Sequence, residues 1–207
     1  MKYFIPEWDD RVDPKYDFVS DNHSAEHEED PVKNDIYIWD IFGLDKVPID
    51  GVLVSRMTTM QNKTKYARIL REGIHSVLRL PQGFEIMGDC GAWGYIKEES
   101  PPFKSSEVLD YYVKCGFNFG VSVDHLVVPE FKEQNEQRWR ITIENAQEMF
   151  SLWQSKDEYV QSVRLIGVTQ GWDVESYIRS TKELLRIGYD YIGLGGLARS
   201  QTGTNEQ

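Results

Sequence analysis

This chain of 207 residues is poor in the features that mark disulfide-stapled, membrane-spanning or strongly basic proteins. It has two cysteines, Cys90 and Cys115, far short of a disulfide framework, and both are expected to be reduced thiols in a cytoplasmic protein. No apolar run approaches the roughly 20 residues that a helix needs to span a bilayer. The first residues, Met1-Lys-Tyr-Phe-Ile-Pro-Glu7, also lack the long apolar core of a signal peptide. Positive charge is in deficit: 23 Lys and Arg stand against 34 Asp and Glu, a net charge of -11. Acidity of this order is a poor starting point for binding phosphates, although it does not exclude it.

The deficit is local. Residues 1–45 hold 13 acidic and 4 basic residues, a net -9, so the remaining 21 acidic and 19 basic residues leave the body at -2. Residues 1–46 read as an irregular extension, with Pro6, Pro14, Pro31 and the polar run from Ser20 to Asp30. Aromatic residues such as Tyr3, Phe4, Tyr16, Phe18, Tyr37 and Trp39 are interleaved there, so the segment is expected to lie against the body rather than hang free. His23 and His27 sit four apart beside carboxylates, but Ser, Asn and Asp around them favour a loop over the helix that would pair them on a metal. In the body, Lys63, Lys65, Arg68 and Arg71 recur at helical spacing and read as a solvated face.

From residue 47 to about 200 the pattern is regular. Short apolar runs end abruptly on polar residues or glycine: Gly51-Val-Leu-Val-Ser55, Phe84-Glu-Ile-Met-Gly-Asp89, Phe119-Gly-Val-Ser-Val-Asp124, Leu165-Ile-Gly-Val-Thr-Gln170 and Tyr191-Ile-Gly-Leu-Gly-Gly196. Helical patterns lie between them, over about 60–73, 105–115 (capped by Ser105 or Ser106), 134–155 and 173–187, the last capped by Asp173 and closed by Gly188. The run from His75 to Arg79 reads as a further strand or a connection. Strands alternating with helices predict an α/β fold with a parallel sheet, in about five β/α units. A closed (β/α)8 TIM barrel needs eight, so the fold is expected to be a partial barrel or an open sheet, followed by a polar tail over 201–207.

In a parallel sheet the carboxyl ends of the strands share one face, where Ser55, Asp89, Asp124, Gln170, Gly195 and Gly196 would meet. Asp89 lies in Met87-Gly-Asp-Cys-Gly-Ala-Trp-Gly94, whose glycines let the backbone turn sharply beside a carboxylate. Such a group serves as acid, base or nucleophile, or simply caps its own turn. Asp124 and Gln170 end their strands in the same way, and His125 would point to the other side in a structural role. Buried amides and carboxylates are costly unless paired, and a planar purine has matching donors and acceptors. Gly195 and Gly196 would let backbone N–H groups approach it closely.

The segments Gly88-Asp-Cys-Gly-Ala-Trp93, Val123-Asp124, Gly167-Val-Thr-Gln-Gly171 and Ile187-Gly-Tyr-Asp-Tyr-Ile-Gly-Leu-Gly-Gly-Leu-Ala198 resemble, in order, the motifs of the guanine transglycosylase family. That family includes the queuine and archaeosine tRNA-ribosyltransferases. The Trp after Gly-Ala, the Val-Asp-His-Leu run and the aromatic, acidic N-terminus look closer to the DpdA-type enzymes, which place 7-deazaguanines in DNA. The resemblance implies a TIM-barrel pentosyltransferase that exchanges guanine in a polynucleotide, DNA in preference to tRNA, for a preQ0-like base. It gives proton transfer to Asp89, the purine's amidine-like edge to Asp124 and its carbonyl side to Gln170 and Gly196, with Cys90, Gly91 and Gly195 lining the pocket.

The departures are as informative. The family's nucleophilic aspartate follows the Gly-Gly-Leu-Ala motif, and this chain has nine residues after Ala198. Asp173 and Asp190 are the nearby substitutes, and neither matches the motif. The family's zinc site, a cysteine cluster plus histidine, has no counterpart, so no cofactor is expected here. Cys90 stands where the tRNA enzymes have serine, and Arg199-Ser200 replaces the usual residues after alanine. The expectation is a base-binding half whose barrel is completed by a partner chain or a dimer, with a non-catalytic base-binding subunit as the alternative.

Overall fold

The computed structural model describes residues 1–7, 11–42, 49–155 and 157–197. The boundary at 46–47, the residues after alanine and the tail over 201–207 lie outside those residues. In chain order the elements are β1 (Phe4–Pro6), β2 (Arg11–Val12), α1 (Ala25–Glu29), α2 (Pro31–Asn34), β3 (Ile36–Tyr37), α3 (Ile38–Phe42), β4 (Gly51–Ser55), α4 (Arg56–Gln61), α5 (Lys63–Glu72) and α6 (Ile74–Val77). There follow β5 (Glu85–Asp89), a 3-10 turn (Ala92–Tyr95), α7 (Ser105–Cys115), β6 (Phe119–Val121), a second 3-10 segment (Pro129–Gln134), α8 (Asn135–Ser155), α9 (Glu158–Gln161), β7 (Arg164–Thr169), α10 (Val174–Ile187) and β8 (Tyr191–Leu194). Among the described residues no helix is long and apolar enough to cross a membrane.

Six of the eight strands form one parallel sheet in the order β1-β4-β5-β6-β7-β8, and β2 pairs antiparallel with β3 in a separate sheet. The six-stranded sheet is curled into a half-barrel. Phe4 on β1 and Phe119 on β6 are separated by two intervening strands, about 14 Å in a flat sheet, yet their ring centroids lie 5.9 Å apart. Tyr191 on β8 reaches the same Phe119 at 5.9 Å. The concave face is therefore lined by Phe4, Met87, Phe119, Val121, Ile166 and Val168. The main core lies on the convex face, where Val52, Val54 and Ile86 meet side chains of the outer helices such as Ile69, Leu109, Tyr112 and Leu184. Gly88 and Gly120 make room for one of these, since a Cβ on either would stand 2.2 or 2.5 Å from the ring of Tyr112.

The regular part follows the sequence pattern closely, with four corrections. The sheet has a sixth strand, β1, drawn from the extension that reads as irregular; Pro6 is tolerated because β1 is an edge strand. The helix expected over 60–73 is two, broken at Asn62, whose side chain accepts from Lys65 N at 3.0 Å and caps the second. Residues 74–77 are a short helix rather than a strand. The N-cap of α7 is Lys104, whose N–H is taken by Glu107 Oε2 at 3.2 Å, while Ser105 is wholly buried and donates to Asn145 O at 3.2 Å.

The basic cluster on α5 is solvated only in part: Lys63 and Arg71 are exposed, but Lys65 and Arg68 are turned to the extension. Lys65 is 2% exposed and its Nζ donates to Glu7 Oε2 at 2.7 Å, while Arg68 bonds Asp30 Oδ2 at 3.2 Å. Arg79 clasps the carbonyls of Val32, Lys33 and Asp35, and Trp39 Nε1 donates to Leu78 O at 3.1 Å. These residues neutralise and anchor the acidic extension, so two isolated sequence features form one interface.

Candidate active site at the strand ends

Registry brings the expected residues to one end of the sheet. Ser55 pairs with Asp89 across β4 and β5, and Thr169, next to Gln170, pairs with Leu194, next to Gly195. After Asp89 the chain turns at Gly91, whose φ of +83° lies in the left-handed region that favours glycine. A Cβ there would also stand 2.5 Å from both Met57 Cβ and Ser55 Oγ. Gly91 N donates to Asp89 Oδ2 at 3.0 Å, so Asp89 does cap its own turn, and it is also brought to the cluster. Asp89, Cys90 and Asp124 each offer an atom within 4.8 Å of the others.

Asp124, 5% exposed, is fixed from three directions. The Cys90 thiol donates to its Oδ1 at 3.1 Å, Gln170 Nε2 donates to its Oδ2 at 2.6 Å, and the Tyr95 hydroxyl donates to its backbone carbonyl at 2.8 Å. The Tyr95 hydroxyl also lies 2.9 Å from Cys90 Sγ. Gln170 Oε1 in turn accepts from Val127 N at 3.2 Å. The amide and the carboxylate are thus paired with each other, and each Asp124 oxygen keeps lone-pair capacity for a further donor.

Gly195 and Gly196 pack against this pair. A Cβ on Gly195 would meet Gln170 Nε2 at 2.4 Å, and Gly196 (φ +75°) stands close to Gln170 Oε1 and Tyr177 Oη. Tyr177 donates to Gly195 O at 2.7 Å.

The segment after β6 is held from behind. Thr142 Oγ1 accepts from His125 N at 2.9 Å, and the buried Arg138 guanidinium donates to Leu126 O at 3.0 Å, Ile96 O at 2.9 Å and His125 Nδ1 at 3.2 Å. His125 Nε2 therefore carries the proton and donates to Glu98 O at 3.0 Å, a structural role in the segment beyond β6. Tyr95, Tyr177 and Arg138 are the supporting residues that sequence reasoning missed. For Tyr95 a signal existed, since its hydroxyl follows directly on the glycine-rich run; for Arg138, mid-helix and charged, there was none.

Electrostatics separate the two carboxyls from ordinary ones. Burial first, and the neighbouring Asp124 second, push Asp89 up to about 7, against the N–H groups of Gly91 and Cys90. Burial also raises Asp124, opposed by its bonds from Cys90 and Gln170. Burial, with both carboxylates nearby, drives the Cys90 thiol well above its usual range, so it stays protonated and acts as a donor. The two cysteines do not cluster: Cys90 stands beside the carboxyls at the strand ends and Cys115 lies apart on α7. The residues present therefore do not fit the cysteine-rich zinc site that the family resemblance implies.

Of the two substitute nucleophiles, Asp173 lies at the strand-end side and lines the cleft there, while Asp190 does not. Asp173 caps α10, accepting from Ser176 N at 2.7 Å, and this bond lowers its pKa. Asp190 is an exposed residue just before β8, at the opposite end of the strand from Gly195. A cleft of about 1290 Å3, bounded by Val127, Trp172, Asp173, Tyr177, Leu194 and Gly196, runs along α10 beside the end of β8, while Asp89, Asp124 and Gln170 stand outside its lining.

No family model matches the chain. A DNA-guanine transglycosylase from Salmonella montevideo is 31% identical to it over 215 residues, an alignment taking in 98% of this chain and 50% of that protein. The chain thus spans about half the length of the curated relative it matches. The resemblance read from four short motifs extends over nearly the whole chain, extension included.

Proposed function

We propose that this chain, a homologue of a DNA-guanine transglycosylase, is the base-recognition half of an enzyme that exchanges guanine in DNA for a 7-deazaguanine such as preQ0. The observation that carries the reading is the pairing of two unlike carboxyls at the strand ends. Asp89, with a pKa of about 7, is poised to give and take a proton at neutral pH. Asp124 is locked by Gln170 and Cys90 in an orientation suited to the N–H edge of a purine.

A retaining exchange runs in two displacements. A nucleophile forms a bond to the sugar's anomeric carbon as the bond from that carbon to guanine breaks, and protonated Asp89 delivers its proton to the departing base. The incoming base then attacks the same carbon, the bond to the nucleophile breaks, and the Asp89 carboxylate takes the proton that the new base loses. The nucleophile is expected from strands that complete the barrel beside β8. That edge pairs only with β7 among the described residues and is flanked by exposed Ile178, Leu194 and Leu197. A partner chain or a second copy supplying those strands suits it. No cofactor is invoked for the exchange.

Offering labelled preQ0 to the assembled protein with duplex DNA and, separately, with tRNA tests the reading. Label is expected in DNA. Incorporation into tRNA alone would establish the tRNA-acting alternative, and incorporation that survives Asp89→Ala would leave this chain a non-catalytic subunit.

A further inference from the structure

The N-terminal extension holds a second cluster that the strand-end chemistry does not use. Asp13, His23 and His27 each present a donor atom within 4.8 Å of the other two. Contrary to the loop read from the sequence, His27 lies on a helix, α1, whose N-cap Ser24 accepts from His27 N at 3.2 Å. The two imidazoles stack with centroids 3.7 Å apart and planes 9° from parallel. A small cavity of about 200 Å3, lined by Asp13, Lys15, Ser24, His27 and Asn34 among others, opens beside them.

Each donor is prepared for a cation. His27 Nδ1 faces both oxygens of Asp35 at 3.0 Å, and a carboxylate there can only accept, so the ring's proton sits on Nδ1 and the Nε2 lone pair is free. A carboxylate behind a histidine is the usual arrangement for orienting a metal-bound ring. Asp13 accepts from Ser24 N at 2.7 Å, Ser24 Oγ at 2.9 Å and Lys15 N at 2.9 Å. His23 Nδ1 lies 3.3 Å from Asp13 Oδ2, and its side chain is 44% exposed. The surrounding segment carries a net -9, which a dication would relieve.

We propose that Asp13, His23 and His27 bind one divalent first-row transition cation, which clips the start of the extension to α1. Two imidazoles and one carboxylate suit Zn2+ and its neighbours rather than Mg2+ or Ca2+, with water completing the coordination. This site is separate from the strand ends and from any cysteine-based zinc site.

The test is calorimetric titration of the chelator-treated full chain with Zn2+, together with visible absorbance on adding Co2+. One ion per chain is expected, with affinity reduced at least about tenfold by His23→Ala and by Asp35→Asn, and unchanged by Asp124→Asn. His23 is exposed, so its variant should fold, which circular dichroism verifies. Absence of binding, binding indifferent to His23→Ala, or binding lost in Asp124→Asn would each overturn the proposal.

Discussion

Asp89→Asn is expected to slow base exchange severely while stabilising the fold at neutral and alkaline pH. The two effects share one cause. Burial and the charge of Asp124 hold the Asp89 pKa at about 7 rather than the ordinary 3.8, so between those values the folded protein keeps a proton that the unfolded chain releases. Stability from this group is complete below about pH 4, declines as pH rises, and is lost above 7. The gap corresponds to roughly 4 kcal/mol at most. Asparagine cannot ionise and escapes that loss, but it cannot carry a proton, and removing a general acid-base group costs roughly 10^2 to 10^4 in rate. Between pH 5 and pH 8 the parent should lose more stability in thermal melts than the variant, in which Asp124 still titrates. Equal pH dependence in both would show that Asp89 titrates as an ordinary carboxylate.

The second large effect concerns the extension. Lys65→Met leaves the Glu7 carboxylate buried without its ammonium, and breaking a buried pair from one side costs about 3–5 kcal/mol. Comparing Glu7→Leu, Lys65→Met and the double variant measures the coupling between the two, each of which also has further interactions. Glu7 N also donates to Leu53 O at 2.8 Å, which prolongs the β1–β4 pairing, so a loosened Glu7 should free the whole edge strand. Urea denaturation of the two single variants and the double variant measures this. Single-variant losses below about 1 kcal/mol would mean that the pair is solvated and that β1 is held by other contacts.

The regular half of the fold was legible because its signals are local. Alternating apolar runs with glycine and polar stops placed β4 to β8 within a residue or two, and Asp173 and Gly188 marked the ends of α10 as cap residues do. The strand-end residues followed from one topological rule. What escaped was non-local. β1 is three residues long and becomes a strand only because β4 offers it an edge. Lys65 looked solvated because its partner lies 58 positions away. Arg138 and Thr142 sit on the buried stripe of α8, where a hydrophobic pattern expects apolar residues, because they fasten the chain just after Asp124. The mutual pairing of Asp124 and Gln170 was equally invisible, since two residues delivered to one face can as well stand apart.

Guanine recognition at the strand ends is assigned to Asp124. Equilibrium titration of the assembled protein with guanine, preQ0 and adenine, repeated on Asp124→Ala, tests it most directly. Guanine and preQ0 are expected to bind, adenine to bind far more weakly because it presents no matching N–H edge, and the Asp124→Ala variant to lose the preference. Equal binding of adenine and guanine, or a guanine affinity indifferent to Asp124→Ala, would contradict the account.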